Sequence, residues 1–144
     1  MMKPVLLFDT SIVIDLLAKR EPFWQSASQL FDLAEQTKVD AYINTLTLVT
    51  VYYILHSHYK IPHQRIIDAF LVLASYVSVA DVKADHVRQA MMSSFTDFED
   101  GVMFYSGVQI AGITAIITRN VPDFSTADIP VLTPDQWLAN YHNH

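Results

Sequence analysis

The chain has 144 residues, of which 51% are hydrophobic, and this length and composition suit one domain with a substantial core. It contains no cysteine, which excludes disulfides and thiolate metal sites. A formal net charge of −6 argues against a dedicated duplex-binding protein. The three glycines, Gly101, Gly107 and Gly112, do not stand at the positions that a P-loop or a Gly-rich dinucleotide fingerprint requires.

Short apolar segments alternate with helical patterns from the N-terminus onward. Residues 5–8 form a continuous apolar run, as in a strand that is buried on both faces. Residues 45–58 are rich in Thr, Val and Tyr, which favour strands, but the segment is long for a strand and we predict a helix. Further strands are predicted at residues 40–43, 76–79, 115–117 and 130–132. The remaining helices are predicted at residues 12–17, 23–34, 62–73, 81–92, 97–111 and 133–137.

This alternation predicts an α/β fold, with one domain over residues 1–144 and a mostly parallel sheet flanked by helices. Ligands of such sheets bind beyond the carboxyl ends of the strands. Asp9 directly follows the first strand, Thr118 and Asp123 follow the fourth, and Asp97 and Asp100 begin the helix before it. Carboxylates gathered at one sheet edge suit a hard cation such as Mg²⁺ or Mn²⁺.

Each acid also has an ordinary structural explanation. Asp9 can cap the helix that follows it, and Thr96 with Glu99 matches a capping box. Asp123 after a proline is typical of a turn. Capping explains Asp97 and Asp100 less well, because one helical turn seldom needs three acids.

Four segments that occur in the family's order, and that together extend over most of the chain, resemble the PIN domain. This is the fold shared by VapC-type toxins and related ribonucleases. They are Leu7-Phe8-Asp9-Thr10-Ser11, Asp97-Phe98-Glu99-Asp100-Gly101, Thr118-Arg119-Asn120-Val121-Pro122-Asp123-Phe124 and Ile129-Pro130-Val131-Leu132-Thr133-Pro134.

The resemblance implies a PIN-like parallel sheet and cleavage of RNA that depends on Mg²⁺ or Mn²⁺. The catalytic acids of the family fall on Asp9, Asp100 and Asp123, with Asp97 as a further metal ligand. The hydroxyl and the turn after the fourth strand, which orient water or substrate, fall on Thr118 and Asn120.

One position departs from the family pattern. Many relatives carry a glutamate on the helix after the second strand, and that place is held here by Thr50. Either Asp97 or Glu99 compensates for the missing carboxylate, or catalysis is weakened and the chain acts as a PIN-fold binding module.

A phosphotransfer domain is a third possibility, because receiver and haloacid-dehalogenase-like proteins also carry an acid after their first strand. The dehalogenase pattern needs a second aspartate where Ser11 stands, and a receiver needs a lysine where Thr133 and Pro134 stand. We therefore rank this possibility last.

The partners expected with a PIN-like ribonuclease are RNA and a protein antitoxin. The positive mean hydropathy, with apolar helices in the first half of the chain, favours a homodimer. We expect a cytoplasmic protein without a membrane segment, because no apolar run approaches the roughly 20 residues that span a bilayer and the N-terminus lacks the length of a signal peptide.

Overall fold

The computed structural model describes residues 2–121 and 128–143. It contains one parallel sheet flanked by helices. The strands are β1 (Val5–Phe8), β2 (Asp40–Asn44), β3 (Ser78–Ala80), β4 (Ala115–Ile117) and β5 (Val131–Leu132). The helices of the described residues are α1 (Thr10–Leu17), α2 (Trp24–Glu35), α3 (Thr45–Ser57), α4 (His63–Ala74), α5 (Ala84–Met91), α6 (Phe98–Gly107) and α7 (Pro134–His142). The strand order is β3-β2-β1-β4-β5, and every pair is parallel, which confirms the predicted α/β fold.

The central strand β1 and its neighbour β4 are buried on both faces of the sheet, as their continuous apolar sequences predict. Leu6 and Phe8 of β1 join one core cluster, and Leu7 joins a second cluster on the other face of the sheet. Helix α6 packs closely on that second face, where a Cβ atom on Gly107 would stand 2.9 Å from Leu7 Cδ2. The close approach explains a glycine at this position.

The register brings the ends of β1 and β4 together. Phe8 pairs with Ile117, and the Asp9 amide donates a hydrogen bond to the Ile117 carbonyl at 2.9 Å. The residues that directly follow the two strands, Asp9 and Thr118, are therefore neighbours at the carboxyl edge of the sheet. Helix α6 precedes β4 and runs antiparallel to it, so that its N-terminal acids reach the same edge.

Several element boundaries differ from the predictions. Strand β3 starts at Ser78 rather than at residue 76, because the amides of Tyr76 and Val77 bond back to the Leu73 carbonyl at the end of α4. Helix α6 ends at Gly107, and the chain turns before β4 with Gly112 at a φ of 73°. Residues 45–57 are helical, as their length predicts, and no helix of the described residues is both long enough and apolar enough to span a bilayer.

Candidate functional site

Asp9 is held by hydrogen bonds to both of its carboxylate oxygens. Oδ1 accepts from the Thr10 amide at 2.7 Å and caps helix α1, while Oδ2 accepts from Thr118 Oγ1 at 2.7 Å. The residue is 5% exposed. The capping interpretation of Asp9 is thus correct, and it coexists with a place at the sheet edge.

Thr118 and Asn120 continue the site from the end of β4. The Thr118 hydroxyl is completely buried, donates to Asp9, and accepts a bond from the Asn120 amide at 3.0 Å. It therefore orients Asp9 and the turn after β4, while Asn120 lines the cleft beside them. Asp123, which was predicted to complete the set of acids, lies outside the described residues.

The N-terminus of α6 corrects one prediction. The helix is capped by Asp97, whose side chain accepts from the Asp100 amide at 3.0 Å, and not by Thr96. The helix begins one residue later than a Thr96 cap requires, so Glu99 does not form the predicted capping box with Thr96. Its Oε1 atom instead lies 3.4 Å from Thr10 Oγ1, which donates to it.

These side chains surround a cleft of about 250 Å³, which we name the acidic cleft. Thr50 lies on its wall with Asp9, as expected if Thr50 occupies the position of the family glutamate. The cleft is lined by Asp9, Thr10, Ser11, Ile14, Arg20, Thr50, Ile54, Asp97, Glu99, Asp100 and Asn120.

The acids of the cleft raise one another's proton affinity. Burial raises the pKa of Asp9 above its usual value, against the lowering effect of bonds from Thr118, Thr10 and Ser11, and the charge of Asp97 raises it further. Burial also raises the pKa of Glu99, and the charges of Asp9 and Asp97 add to this effect, while the bond from Thr10 opposes it. A bound cation would lower both pKa values.

The chemistry of the donor atoms fits a hard cation, since four carboxylates line the cleft and Arg20 is the one basic residue among its described lining residues. Within residues 2–121 and 128–143, no three acidic or histidine side chains stand close enough to form a metal-binding group. A cation therefore requires these acids to draw closer together or to be joined by a ligand from outside the described residues.

A buried ion-pair network next to the cleft was not predicted from the sequence. Asp15 of α1 is 1% exposed, and Arg20 and Arg119 both bond to its carboxylate. Arg119 contributes two bonds, at 2.7 and 3.1 Å, and its guanidinium carbon lies 3.9 Å from the centroid of the Phe23 ring. The Arg119 guanidinium therefore contacts both the Asp15 carboxylate and the Phe23 ring.

One sequence signal could have revealed this network. Asp15 interrupts the apolar pattern of α1, between Ile14 and Leu16, and a carboxylate is seldom fully buried unless it is paired. The identity of the paired cations could not follow, because Arg119 is 104 residues away in the chain.

Comparisons with known proteins agree with this geometry. The chain is similar in structure to the VapC20 toxin of Mycobacterium tuberculosis, a sarcin–ricin loop cleaving toxin, with a TM-score of 0.64 and 20% identity over 86% of this chain and 95% of that one. It is also similar to VapBC2 of Rickettsia felis, which was solved bound to a DNA fragment from its promoter, with a TM-score of 0.60 and 18% identity over 89% of this chain and 96% of that one. No curated protein sequence matches the chain. The family model described as PIN domain matches residues 5–122, and the chain belongs to the PIN domain family.

Proposed function

We propose that the protein is a metal-dependent endoribonuclease that hydrolyses RNA phosphodiester bonds and acts as the toxin of a toxin–antitoxin pair. The observation that carries the proposal is the acidic cleft, where Asp9 from the end of β1 meets Asp97, Glu99 and Asp100 from the start of α6. The likeness to VapC20, a sarcin–ricin loop cleaving toxin, supports RNA as the substrate class.

In this proposal Asp9, Asp97, Asp100 and Asp123 hold Mg²⁺ or Mn²⁺, and Asp9, Asp100 and Asp123 are the catalytic acids. The cation would lower the pKa of an attacking water and stabilise charge on the phosphate. Thr118 holds Asp9 in place through its 2.7 Å bond, and Asn120 faces the substrate side of the cleft.

In this proposal Glu99 performs the role of the family glutamate whose position is held here by Thr50. Its carboxylate accepts from Thr10 Oγ1, and the same hydroxyl lies 3.3 Å from Thr47 Oγ1 on α3. Glu99 therefore reaches from α6 towards the helix on which many PIN domains carry their glutamate. This contact favours an active nuclease over a PIN-fold module with weakened catalysis.

Cleavage of an end-labelled structured RNA tests the proposal. The wild type is expected to cut with Mn²⁺ or Mg²⁺ and to stop with chelator, and Asp100→Asn is expected to lose at least a hundredfold in rate, which corresponds to about 2.7 kcal/mol of transition-state stabilisation. Asp68→Asn, which removes the same charge from an exposed position on α4, should cut like the wild type.

Cutting that survives both chelator and Asp100→Asn would rule out the metal nuclease, and RNA binding without cutting would favour the binding module.

The same three proteins, expressed in a bacterium, test the toxin role. The wild type and Asp68→Asn should arrest growth, whereas Asp100→Asn should not. Normal growth with an active enzyme would contradict that role.

Two partners belong to the proposal. The likeness to VapBC2 of Rickettsia felis supports a protein antitoxin. Exposed apolar side chains along one face of α3 support a homodimer.

A further inference from the structure

We propose that a second pocket beside the acidic cleft binds an unpaired base of the RNA, from a nucleotide next to the cleaved phosphate. The proposal rests on the proposed function, because it names how that same substrate is held. The pocket has a volume of about 470 Å³, which is ample for one nucleoside, and we name it the base pocket. Its walls include Pro22, Phe23, Ser26, Arg119, Pro134 and Asp135.

The base pocket lies at the same edge of the sheet as the acidic cleft. Arg119 follows Thr118, which bonds to Asp9 at the end of β1, and Pro134 stands just after β5. Neighbouring strands are about 4.8 Å apart, so β1 and β5 are separated by two strand spacings, or roughly 10 Å. That distance suits a nucleotide adjacent to the one whose phosphate enters the acidic cleft.

The ion-pair network of Asp15, Arg20 and Arg119, which we name the Asp15 network, lies between the two cavities. Arg20 lines the acidic cleft, Arg119 lines the base pocket, and both bond to the buried Asp15 carboxylate. Two guanidinium groups against one carboxylate leave a net positive charge between the cavities. In a chain with a net charge of −6, this charge offers the connecting RNA phosphate a favourable place to lie.

The base pocket is built for stacking. The Arg119 guanidinium lies 3.9 Å from the Phe23 ring centroid and is fixed by its two bonds to Asp15, while Phe23 remains 39% exposed. RNA bases stack on aromatic rings and on guanidinium planes. Because the pair is already ordered before RNA binds, little conformational entropy is lost when a base stacks on it.

The Asp135 carboxylate in the pocket favours a base over a phosphate. Asp135 places a carboxylate in the pocket and accepts a hydrogen bond from Ser26, and a carboxylate repels phosphate. The same carboxylate can accept from the exocyclic amino group of adenine, cytosine or guanine, as acidic side chains do with the cytosine amino group in DNA. Uracil has no such group, and we expect it to bind more weakly.

Anisotropy of fluorescein-labelled ten-nucleotide oligo(A), oligo(C) and oligo(U) in chelator at low salt measures binding without cleavage. Phe23→Leu keeps an apolar side chain but removes the ring, and it should weaken binding of oligo(A) and oligo(C) about tenfold. Phe23→Tyr keeps the ring and should stay within about twofold of the wild type. Asp135→Asn should reduce the preference for oligo(A) and oligo(C) over oligo(U). Thermal melting of each variant confirms that it is folded.

Turnover with Mn²⁺ separates this proposal from the nuclease itself. Phe23→Leu should raise KM with little change in kcat, since the pocket lies outside the acid cluster. Metal-dependent cleavage with an unchanged KM and unchanged binding in Phe23→Leu would overturn the base pocket and leave the nuclease intact. If binding depends on the Phe23 ring but the protein does not cleave RNA, the nuclease is overturned and the base pocket remains. Equal binding of all three oligomers by the wild type would overturn the assigned role of Asp135.

Discussion

The capping role of Asp9 is compatible with the metal-binding role that we propose for it. Its Oδ1 atom accepts from the Thr10 amide and its Oδ2 atom from the Thr118 hydroxyl. A carboxylate offers about four lone-pair sites on its two oxygens, so both oxygens retain capacity for a cation after these bonds are made. The bonds also fix the direction in which that remaining capacity points.

Glu99 carries a prediction about pH, because burial and the charges of Asp9 and Asp97 raise its pKa in the folded protein. The folded protein then binds more protons than the unfolded chain between the unfolded pKa, about 4.3, and the raised value. Stability without metal should fall as the pH rises through that window and stay lower above it. Glu99→Gln should therefore be more stable than the wild type at pH 7, by less than about 1 kcal/mol since the side chain is half-exposed.

Urea unfolding in chelator at pH values from about 3.5 to about 8, which bracket the window, measures the difference. The advantage of Glu99→Gln should vanish below about pH 4, where the unfolded wild type is also protonated. Glu35→Gln, an exposed change on α2, should show no such trend. A loss of stability in Glu99→Gln at pH 7 would mean that the bond from Thr10 outweighs the repulsion.

At the scale of elements, the sequence predicts those parts that local chemistry determines. The apolar runs of β1 and β4 identify two central strands, and the residues that directly follow them, Asp9 and Thr118, are bonded to each other as the parallel order implies. The boundary at α6 was less predictable. Thr96 and Asp97 are both good caps, and local sequence alone does not decide between two adjacent ones.

The Asp15 network and the base pocket depend on tertiary contacts. Arg119 bonds to Asp15 across 104 residues, and the position of Phe23 under its guanidinium depends on how α2 packs against α1 and α7. No local pattern encodes such pairings. The sequence therefore predicts the acids of the site better than it predicts the cations beside them.

Helix α3 leads to a prediction about the oligomeric state. Leu46, Val49 and Tyr53 lie at positions i, i+3 and i+7, which places them on one helix face, and they are 37%, 55% and 65% exposed. A contiguous exposed apolar face commonly marks an interface. We expect a homodimer through this face, and Val49→Glu should halve the mass measured by light scattering at micromolar concentration.

Met92→Glu provides the matched control for that variant. Met92 is 75% exposed and follows α5 rather than belonging to α3, so its substitution should leave the mass unchanged. A wild type with the mass of one chain, or a Val49→Glu protein that keeps the mass of two, would contradict the proposed interface.

The whole molecule combines a net charge of −6 with an acid cluster at one sheet edge. Two carboxylates about 5 Å apart repel by roughly 3 kcal/mol at an effective dielectric near 20. The N-terminal end of α6 offsets part of this cost, since a helix dipole stabilises a nearby acid by about 0.3 to 1 kcal/mol. Repulsion is the larger effect, so the metal-free protein should gain stability when one acid of the cluster is neutralised.

Thermal melting tests this balance together with the proposed metal site. Mn²⁺ at about a hundred times its dissociation constant should stabilise the wild type by roughly 2.7 kcal/mol, on the order of 5 to 10 °C in Tm. Asp100→Asn should melt higher than the wild type in chelator and gain little from Mn²⁺. The capping bond belongs to Asp97, whose side chain accepts from the Asp100 amide, so Asp100→Asn leaves the cap in place. Asp68→Asn changes the net charge equally at a remote exposed position and should keep the full Mn²⁺ shift. If NaCl of equal ionic strength reproduced the shift, or if all three proteins gained equally from Mn²⁺, the cation would be screening the overall charge rather than binding in the acidic cleft.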